Sequence, residues 1–276
     1  MKRLILISVF LMLLAGCTAH KPMAVAKIRI KGSDTMLLLA QKLAEEYMKK
    51  NPGISVYVEG GGTTSGVKAI SEGTADICTA SRTLNPGEVK VLAEKFSSVG
   101  LSFLIARDGL SVYLHPENPV KNLSLSQLED IFTGKITNWR NLGGNDEEII
   151  TVVRTPNSGT YSYFREHVLN GKEYYGKAIV KHTTKSITKM IAENKHAIGY
   201  GGIGYNKGIK LSNINGISSS EENVRNNDYP ICRYLYFYTP KQPRGEAQKF
   251  INWAMSMEGQ KIVKVAGYIP IWRITY

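Results

Sequence analysis

One short stretch, residues 152–160, constrains the fold more than any other part of the sequence. It reads as the end of an apolar strand, a short turn and the start of a helix. Arg154 ends the strand and offers a planar fork of donors that suits an oxyanion. Ser158 and Thr160 add hydroxyl groups, and Gly159 lets the backbone come close to a ligand. Because the first N–H groups of a helix are unpaired, we interpret this stretch as an anion-binding turn.

A similar turn at residues 32–36 follows a short strand at residues 27–31 and opens a helix. Thr35 and the adjacent backbone N–H groups face out of this turn, where they could bind an anion. Ser33 or Asp34 could instead serve only as the N-cap of the helix, which is the ordinary role of such residues. An ordinary cap and turn is equally the alternative for residues 152–160.

The third turn, residues 60–66, holds four glycines and three hydroxyl residues between a strand and a helix expected at about residues 67–71. Ordering four glycines costs much backbone entropy, which argues against a connecting loop of arbitrary sequence. Thr63 and Thr64 are its candidate ligands. The segment lacks the Lys-Ser/Thr of a P-loop and the spacing of a dinucleotide-binding fingerprint. A glycine-rich linker is the alternative interpretation.

Strands and helices alternate through the first hundred residues, since a buried-type strand at residues 75–80 precedes a helix at about residues 86–96. This order predicts a mainly parallel sheet with polar residues at the carboxyl ends of its strands. Ser81 and Arg82 lie at one such end. They therefore join the candidate ligands.

Two long apolar stretches read as strands that cross between domains. The first, residues 101–115, is interrupted at residues 107–109, and the second covers residues 229–238. A second α/β unit lies between them. We therefore expect one lobe from residues 27–106 and 239–276 and another from residues 107–238.

The N-terminus predicts export. Residues 1–16 combine two basic residues with an apolar run, residues 4–14, that is too short to span a membrane, and they read as a signal peptide. Residues 14–17, Leu-Ala-Gly-Cys, resemble the bacterial lipobox, in which the cysteine is diacylated and becomes the first mature residue. We expect Cys17 to carry acyl chains such as palmitate and residues 17–26 to form a tether. Ordinary cleavage beside an incidental cysteine is the alternative.

The formal net charge of +12 favours anionic partners. Removal of residues 1–16 leaves 33 basic against 23 acidic residues, or +10. No run of Lys or Arg is longer than two residues, and no stripe of aromatic and basic residues occurs, so nucleic acid is disfavoured. A small anion or a membrane surface fits this composition better.

The cysteines and histidines suggest no metal site. Cys78 and Cys232 lie in apolar strand-like stretches, which favours buried free thiols over a metal pair, although an exported protein could join them in a disulfide. All five histidines fall outside the three turns, and no cluster of carboxylates and histidines suggests a metal pair. We therefore expect neither a metal nor a cofactor.

Eight segments, in this order, resemble one family. They are residues 32–36, 62–67, 75–82, 132–139, 154–160, 198–200, 229–239 and 258–270. Together they resemble the compact phosphate-binding proteins of bacterial phosphate ABC transporters over essentially all of residues 27–272. The resemblance implies a type II periplasmic-binding-protein fold. In that α/β fold, two mixed sheets flanked by helices form two lobes, which two crossing strands join and a hinge motion closes on the ligand.

The resemblance also implies the ligand set. Carried over by position, the phosphate ligands are Thr35, Met36 through its backbone, Thr63, Thr64, Ser81, Arg82, Arg154, Ser158, Gly159 and Thr160. The implied activity is binding without chemistry, with delivery of phosphate to the membrane permease subunits of the transporter. We expect a lipid-anchored monomer at the outer face of the cell membrane or in the periplasm.

The sequence departs from the family at its carboxylates. Many members carry an acidic residue after the arginine, where this chain has Thr155 and Pro156, and long-chain members have an aspartate where Ser81 falls. Such a carboxylate accepts the proton of HPO₄²⁻ and repels fully deprotonated sulfate. Asp34 is the nearest candidate proton acceptor. Sulfate or another tetrahedral oxyanion is therefore an alternative ligand, and a secreted phosphoryl-transfer enzyme or a surface adhesin or sensor is an alternative function.

Overall fold

The computed structural model describes residues 26–274, which form two six-stranded mixed sheets flanked by helices and so confirm the predicted fold class. The strands are β1 (Ala26–Gly32), β2 (Ile54–Glu59), β3 (Ile77–Ala80), β4 (Leu101–Gly109), β5 (Ser111–Leu114), β6 (Asn122–Leu123), β7 (Ile150–Arg154), β8 (Ile179–Lys181), β9 (Ala197–Gly201), β10 (Lys210–Ile214), β11 (Cys232–Thr239) and β12 (Ile269–Pro270). The helices are α1 (Leu37–Lys50), α2 (Thr63–Glu72), α3 (Pro86–Phe96), α4 (Leu125–Phe132), α5 (Gly159–His167), α6 (Thr184–Glu193), α7 (Glu221–Asn226), α8 (Gly245–Met255) and α9 (Met257–Val265), with short 3-10 turns at Asp34–Met36 and Trp139–Leu142.

The predicted signal peptide and Cys17 lie outside the described residues. Within residues 26–274, no helix combines the length and the apolar character needed to cross a lipid bilayer.

The first sheet has the order β12-β4-β11-β3-β1-β2. Strands β2, β1 and β3 run parallel, as the alternation of strands and helices predicts, while β11, β4 and β12 add to one side as antiparallel strands. Ile28 and Ile30 of β1 are buried in the core beneath α1. Because the carboxyl ends of parallel strands meet at one edge, the turns after β1 and β3 lie side by side.

The second sheet has the order β6-β10-β5-β9-β7-β8, with β8, β7 and β9 parallel. Its core is a second cluster of buried residues, which includes a stack of Phe164 on Tyr200 with ring centroids 4.0 Å apart. Phe164 belongs to α5, so this stack ties the helix that follows β7 to the sheet. We call the first sheet with its helices the first lobe, and the second sheet with its helices the second lobe.

The chain passes between the sheets at Leu110, between β4 and β5, and returns just before β11. The Leu110 N–H donates to the carbonyl of Ile231 at 2.9 Å, which joins the two crossings. The strand breaks at Leu110, one residue after the interruption predicted at residues 107–109, because β4 continues through Gly109 and Asp108 pairs with Arg233 of β11. The lobe limits at 106/107 and 238/239 stay a prediction.

Helix α2 begins at Thr63, four residues earlier than the sequence predicts. Glycine, threonine and serine are weak helix formers, so residues 63–66 read as loop. Gly62, with φ of +91°, starts the helix, and its missing Cβ leaves space for the Asn157 carbonyl, which an ideal Cβ would approach to 2.5 Å. The hydroxyls of the third turn therefore lie in the first turn of a helix.

Candidate functional site

Four predicted hydroxyl residues meet where the two lobes touch. Thr160 Oγ1 lies 2.7 Å from Thr35 Oγ1 and 3.4 Å from Ser81 Oγ, and the Ser81 N–H donates to Thr63 Oγ1 at 3.3 Å. All four residues are buried. Thr35 and Ser81 follow the neighbouring parallel strands β1 and β3, Thr63 opens α2, and Thr160 lies in the first turn of α5. We refer to these four residues as the hydroxyl cluster.

Gly159 lets the second lobe reach this cluster. A Cβ at this position would lie 2.3 Å from Thr63 Oγ1 and 2.8 Å from Ser81 Oγ, so it would fit only if these hydroxyl groups moved. Nearby, the Asn157 side chain donates to the Gly61 carbonyl at 2.8 Å. The glycine-rich turn of one lobe and the Ser-Gly-Thr turn of the other are therefore in direct contact.

Arg154 and Asp34 form a buried ion pair between the lobes. Arg154 Nη2 lies 2.7 Å from Asp34 Oδ2, and the two side chains are 1% and 6% exposed. Arg154 also donates to Thr184 Oγ1 and to the His182 carbonyl. Burial lowers the pKa of the Arg154 guanidinium from its ordinary value, and the charge of Asp34 partly offsets this. An arginine still keeps its charge at any physiological pH.

The Nε–H of Arg154 is buried and has no hydrogen-bond partner within residues 26–274. A buried donor without a partner is costly, because it loses its water without replacement. An acceptor supplied by an anion would satisfy this donor.

Asp34 does not cap its helix. Its Oδ1 accepts from the Gly61 N–H at 3.2 Å, and Ser33, at the N-cap position of the 3-10 turn, makes no capping hydrogen bond with its side chain. The capping alternative for the first turn is therefore not observed. The carboxylate instead links the first turn to the third turn and to Arg154.

Other predicted ligands have partners of their own. Ser158 is the N-cap of α5 and accepts from the N–H groups of Thr160 and Tyr161, and the Met36 N–H donates to the Ser33 carbonyl at 3.0 Å. Ser158 therefore has the ordinary capping role, which is the alternative that the sequence left open for residues 152–160.

The hydrogen bonds of Arg82 hold its guanidinium beside the hydroxyl cluster and not within it. Its guanidinium holds Glu88 with two bonds of 2.7 and 2.8 Å and donates to Thr64 Oγ1 at 3.1 Å. Glu88 also completes the capping box of α3, which fixes the position of the pair. The Nε–H of Arg82 is buried and has no hydrogen-bond partner within residues 26–274. Arg82 and Thr64 therefore stand beside the cluster, with one donor still available.

Sequence reasoning missed Arg233, whose guanidinium reaches the cluster from β11. Its Nη1 donates to Thr160 Oγ1 at 3.0 Å and to the Ser81 carbonyl at 3.3 Å, and its Nε donates to Asp108 Oδ2 at 2.8 Å. A signal was present in the sequence, because Asp108 is the one acidic residue of residues 101–115 and Arg233 is the one charged residue of residues 229–238. Opposite charges in such stretches suggest a pair across adjacent strands.

The chemistry of the site is that of anion binding. Hydroxyls, backbone amides at helix starts and guanidinium groups are all donors. Both nearby carboxylates are engaged with arginines, and within residues 26–274 no group of three or more His, Cys, Asp and Glu side chains is arranged to hold a metal ion. Cys78 and Cys232 are free thiols, the first buried and the second half-buried, so the disulfide alternative is not observed.

The comparisons with known proteins agree with this chemistry. The family model of the PBP superfamily domain matches residues 18–258. The phosphate-binding protein PstS of Bacillus subtilis is 31% identical over 97% of this chain and 93% of its own length. The phosphate-binding protein PstS of Pseudomonas aeruginosa is 30% identical over 87% of this chain and 81% of its own length.

Solved structures with similar folds include two from this class. A putative phosphate ABC transporter substrate-binding protein from Clostridium perfringens, crystallised with bound phosphate, has a TM-score of 0.83 and 32% identity, and the match covers 89% of this chain and all of that one. An ABC-type phosphate transport receptor from Vibrio cholerae has a TM-score of 0.71 and 29% identity, over 88% of this chain and 99% of that one.

Proposed function

Because the chain belongs to the PBP superfamily and, within it, to the family of the PstS phosphate-binding proteins, we propose that it captures inorganic phosphate between its lobes and delivers it to an ABC importer. The observation that carries the proposal is the convergence of Thr35, Thr63, Ser81 and Thr160 at one buried point. Hydroxyls from both lobes there can turn their hydrogens toward one small, multiply charged guest.

The binding energy comes from charge-assisted hydrogen bonds. Each contact of this kind is worth roughly 1.5–3 kcal/mol net. Several of them can reach micromolar affinity, about −8 kcal/mol, after the costs of ordering and dehydration. Arg154 supplies charge and an Nε–H that has no partner within residues 26–274, while Arg82, paired with Glu88, donates to Thr64 beside the cluster. The site is also bordered by the starts of two helical segments. These contribute the backbones of Gly159 and Met36 and the N-cap residue Ser158.

Asp34 is the proposed acceptor of the phosphate proton. A carboxylate offers about four lone-pair sites, so a carboxylate paired with Arg154 can still accept a proton donor. HPO₄²⁻ has such a proton and sulfate has none at neutral pH. The same carboxylate would therefore favour phosphate and repel sulfate.

Bound anion favours the form in which the two lobes touch, since contacts from both lobes are made only there. The permease subunits of the importer would recognise this closed form. We further propose that the chain is a monomer tethered at the outer face of the cell membrane or in the periplasm through acyl chains, such as palmitate, on Cys17 after removal of residues 1–16.

We place the chain among binding proteins rather than enzymes. A phosphoryl-transfer enzyme needs a nucleophile, a base or a metal at the anion, and neither this alternative nor a protein specific for sulfate finds support among the relatives. A phosphatase assay with and without divalent metal separates the enzyme from the binding protein. Genes for a permease and an ATPase beside this one would favour transport over an adhesin or a sensor.

Isothermal titration calorimetry of the purified protein with phosphate and with sulfate tests the proposed function. The expected result is one phosphate per chain with a Kd of about 1 µM or tighter and clearly weaker binding of sulfate. Failure to bind phosphate would overturn the proposed function. Equal affinity for both anions would limit it to tetrahedral oxyanions in general.

A further inference from the structure

Arg233 and Asp108 occupy the strands that join the two lobes. They are directly opposite each other in the register of β11 and β4, and their side chains are 1% and 0% exposed. Asp108 Oδ1 also accepts from the Ile203 N–H of the second lobe at 2.9 Å. The pair is therefore anchored by neighbouring strands and by a third element. These contacts hold the Arg233 guanidinium at the hydroxyl cluster.

The guanidinium of Arg233 determines how Thr160 can use its hydroxyl. Guanidinium nitrogens only donate, so Thr160 Oγ1 must accept from Arg233 Nη1 at 3.0 Å. The single hydrogen of Thr160 is then left for another acceptor. Thr35 Oγ1 lies within reach at 2.7 Å, and an oxyanion between the lobes offers a stronger acceptor.

We propose that Arg233, held by Asp108, is a positioning residue that orients the Thr160 hydroxyl to donate to the bound anion. The inference rests on the proposed function, because it takes phosphate as the guest. The crossing strands β4 and β11 thereby have a role in ligand binding, in addition to the roles of the three turns and of the strand end at Ser81. Arg233 acts by orienting the Thr160 hydroxyl, and not by the attraction of its own charge for the anion.

A double-mutant cycle tests this coupling. Calorimetry with inorganic phosphate compares the protein with D108N/R233M, T160V and the triple variant. Methionine keeps the unbranched stem of arginine as far as the Nε position and cannot donate, while asparagine keeps an acceptor for the Ile203 N–H. We expect the D108N/R233M change to weaken phosphate binding at least tenfold in the parent background and less than threefold in the T160V background.

The matched control is R140Q/D146N, which neutralises an exposed arginine–aspartate pair and should change phosphate affinity less than threefold. Thermal unfolding without phosphate checks that each variant is folded. Where D108N/R233M does not fold, R233K replaces it, because a lysine keeps the ion pair with Asp108 but lacks the second arm that reaches Thr160.

Two results would overturn the inference alone. They are an unchanged phosphate affinity in folded D108N/R233M (or R233K), and an equal loss of affinity in the parent and T160V backgrounds. A parent protein that binds no phosphate would overturn the proposed function and this inference together.

Discussion

Thr35 Oγ1 and Thr160 Oγ1 lie 2.7 Å apart, although 125 residues separate them in the sequence and they follow strands of different sheets. Both side chains are fully buried. Either hydroxyl could donate to the other, so both hydrogens could also turn toward a shared acceptor. Under the proposed function, closure of the two lobes brings these two hydroxyls together at the bound anion.

Replacing Arg154 with alanine should weaken phosphate binding at least a hundredfold. The change removes the charge-assisted contact from the Arg154 Nε–H, worth roughly 1.5–3 kcal/mol, together with the attraction of its positive charge, and a hundredfold loss is about 2.8 kcal/mol. Calorimetry measures the effect. R140A is the control, because Arg140 is 65% exposed and pairs only at the surface.

Since R154A leaves Asp34 buried and unpaired, its folding must be checked by thermal unfolding without phosphate. R154K keeps the charge but not the fork, so its loss of affinity should be smaller. Full phosphate affinity in folded R154A would remove this arginine from the site.

Replacing Gly159 with alanine should weaken phosphate binding at least tenfold. The new Cβ would lie 2.3 Å from Thr63 Oγ1, so the second lobe could not reach the hydroxyl cluster without displacing that side chain. G176A is the matched control, because a Cβ at Gly176 meets no atom within 4 Å. Affinity within threefold of the parent would show that the close approach at Gly159 is not needed for binding.

Replacing Asp34 with asparagine should lower the ratio of phosphate to sulfate affinity at least tenfold. Asparagine has the same shape but cannot accept the phosphate proton as a carboxylate does. Competition between the two anions, followed by calorimetry, gives the ratio directly. D146N, which alters an exposed carboxylate, should leave it unchanged. An unaltered ratio in D34N would assign the proton to another acceptor.

Stability should fall above about pH 9. Burial raises the pKa of the Cys232 thiol to about 11 and of the Tyr163 and Tyr205 hydroxyls to about 12. The unfolded chain, with ordinary pKa values, releases these protons first, so the folded state binds more protons and loses stability as pH rises. We expect Tm to drop by at least about 5 °C between pH 8 and about pH 10. A Tm that stays constant or rises over this pH range would contradict the raised pKa values of these three groups.

The sequence predicts the elements of the fold well where patterns are local. The helix predicted at about residues 86–96 has the bounds of α3, which Pro86 opens. The start of α2 was missed because residues 63–66 have weak helix propensity, which the contact with Asn157 overrides. Local preference is a weak guide where another lobe supplies the stabilising contacts.

The candidate site was only partly predictable for the same reason. The turn chemistry around Thr35 and Thr160 could be read from short segments. The pairing of Arg154 with Asp34 and of Arg233 with Asp108 depends on contacts across 120 and 125 residues. Such pairs follow from strand register and lobe closure, which no local pattern contains.

A crystal structure with bound phosphate tests the central claim most directly. The account predicts a phosphate between the lobes with its oxygens about 2.5–3.0 Å from the hydroxyl oxygens of Thr35 and Thr160, and with Arg154 Nε donating to it. Arg233 should remain on Thr160 and Asp108. A phosphate bound elsewhere, or one that neither threonine hydroxyl contacts, would contradict the account.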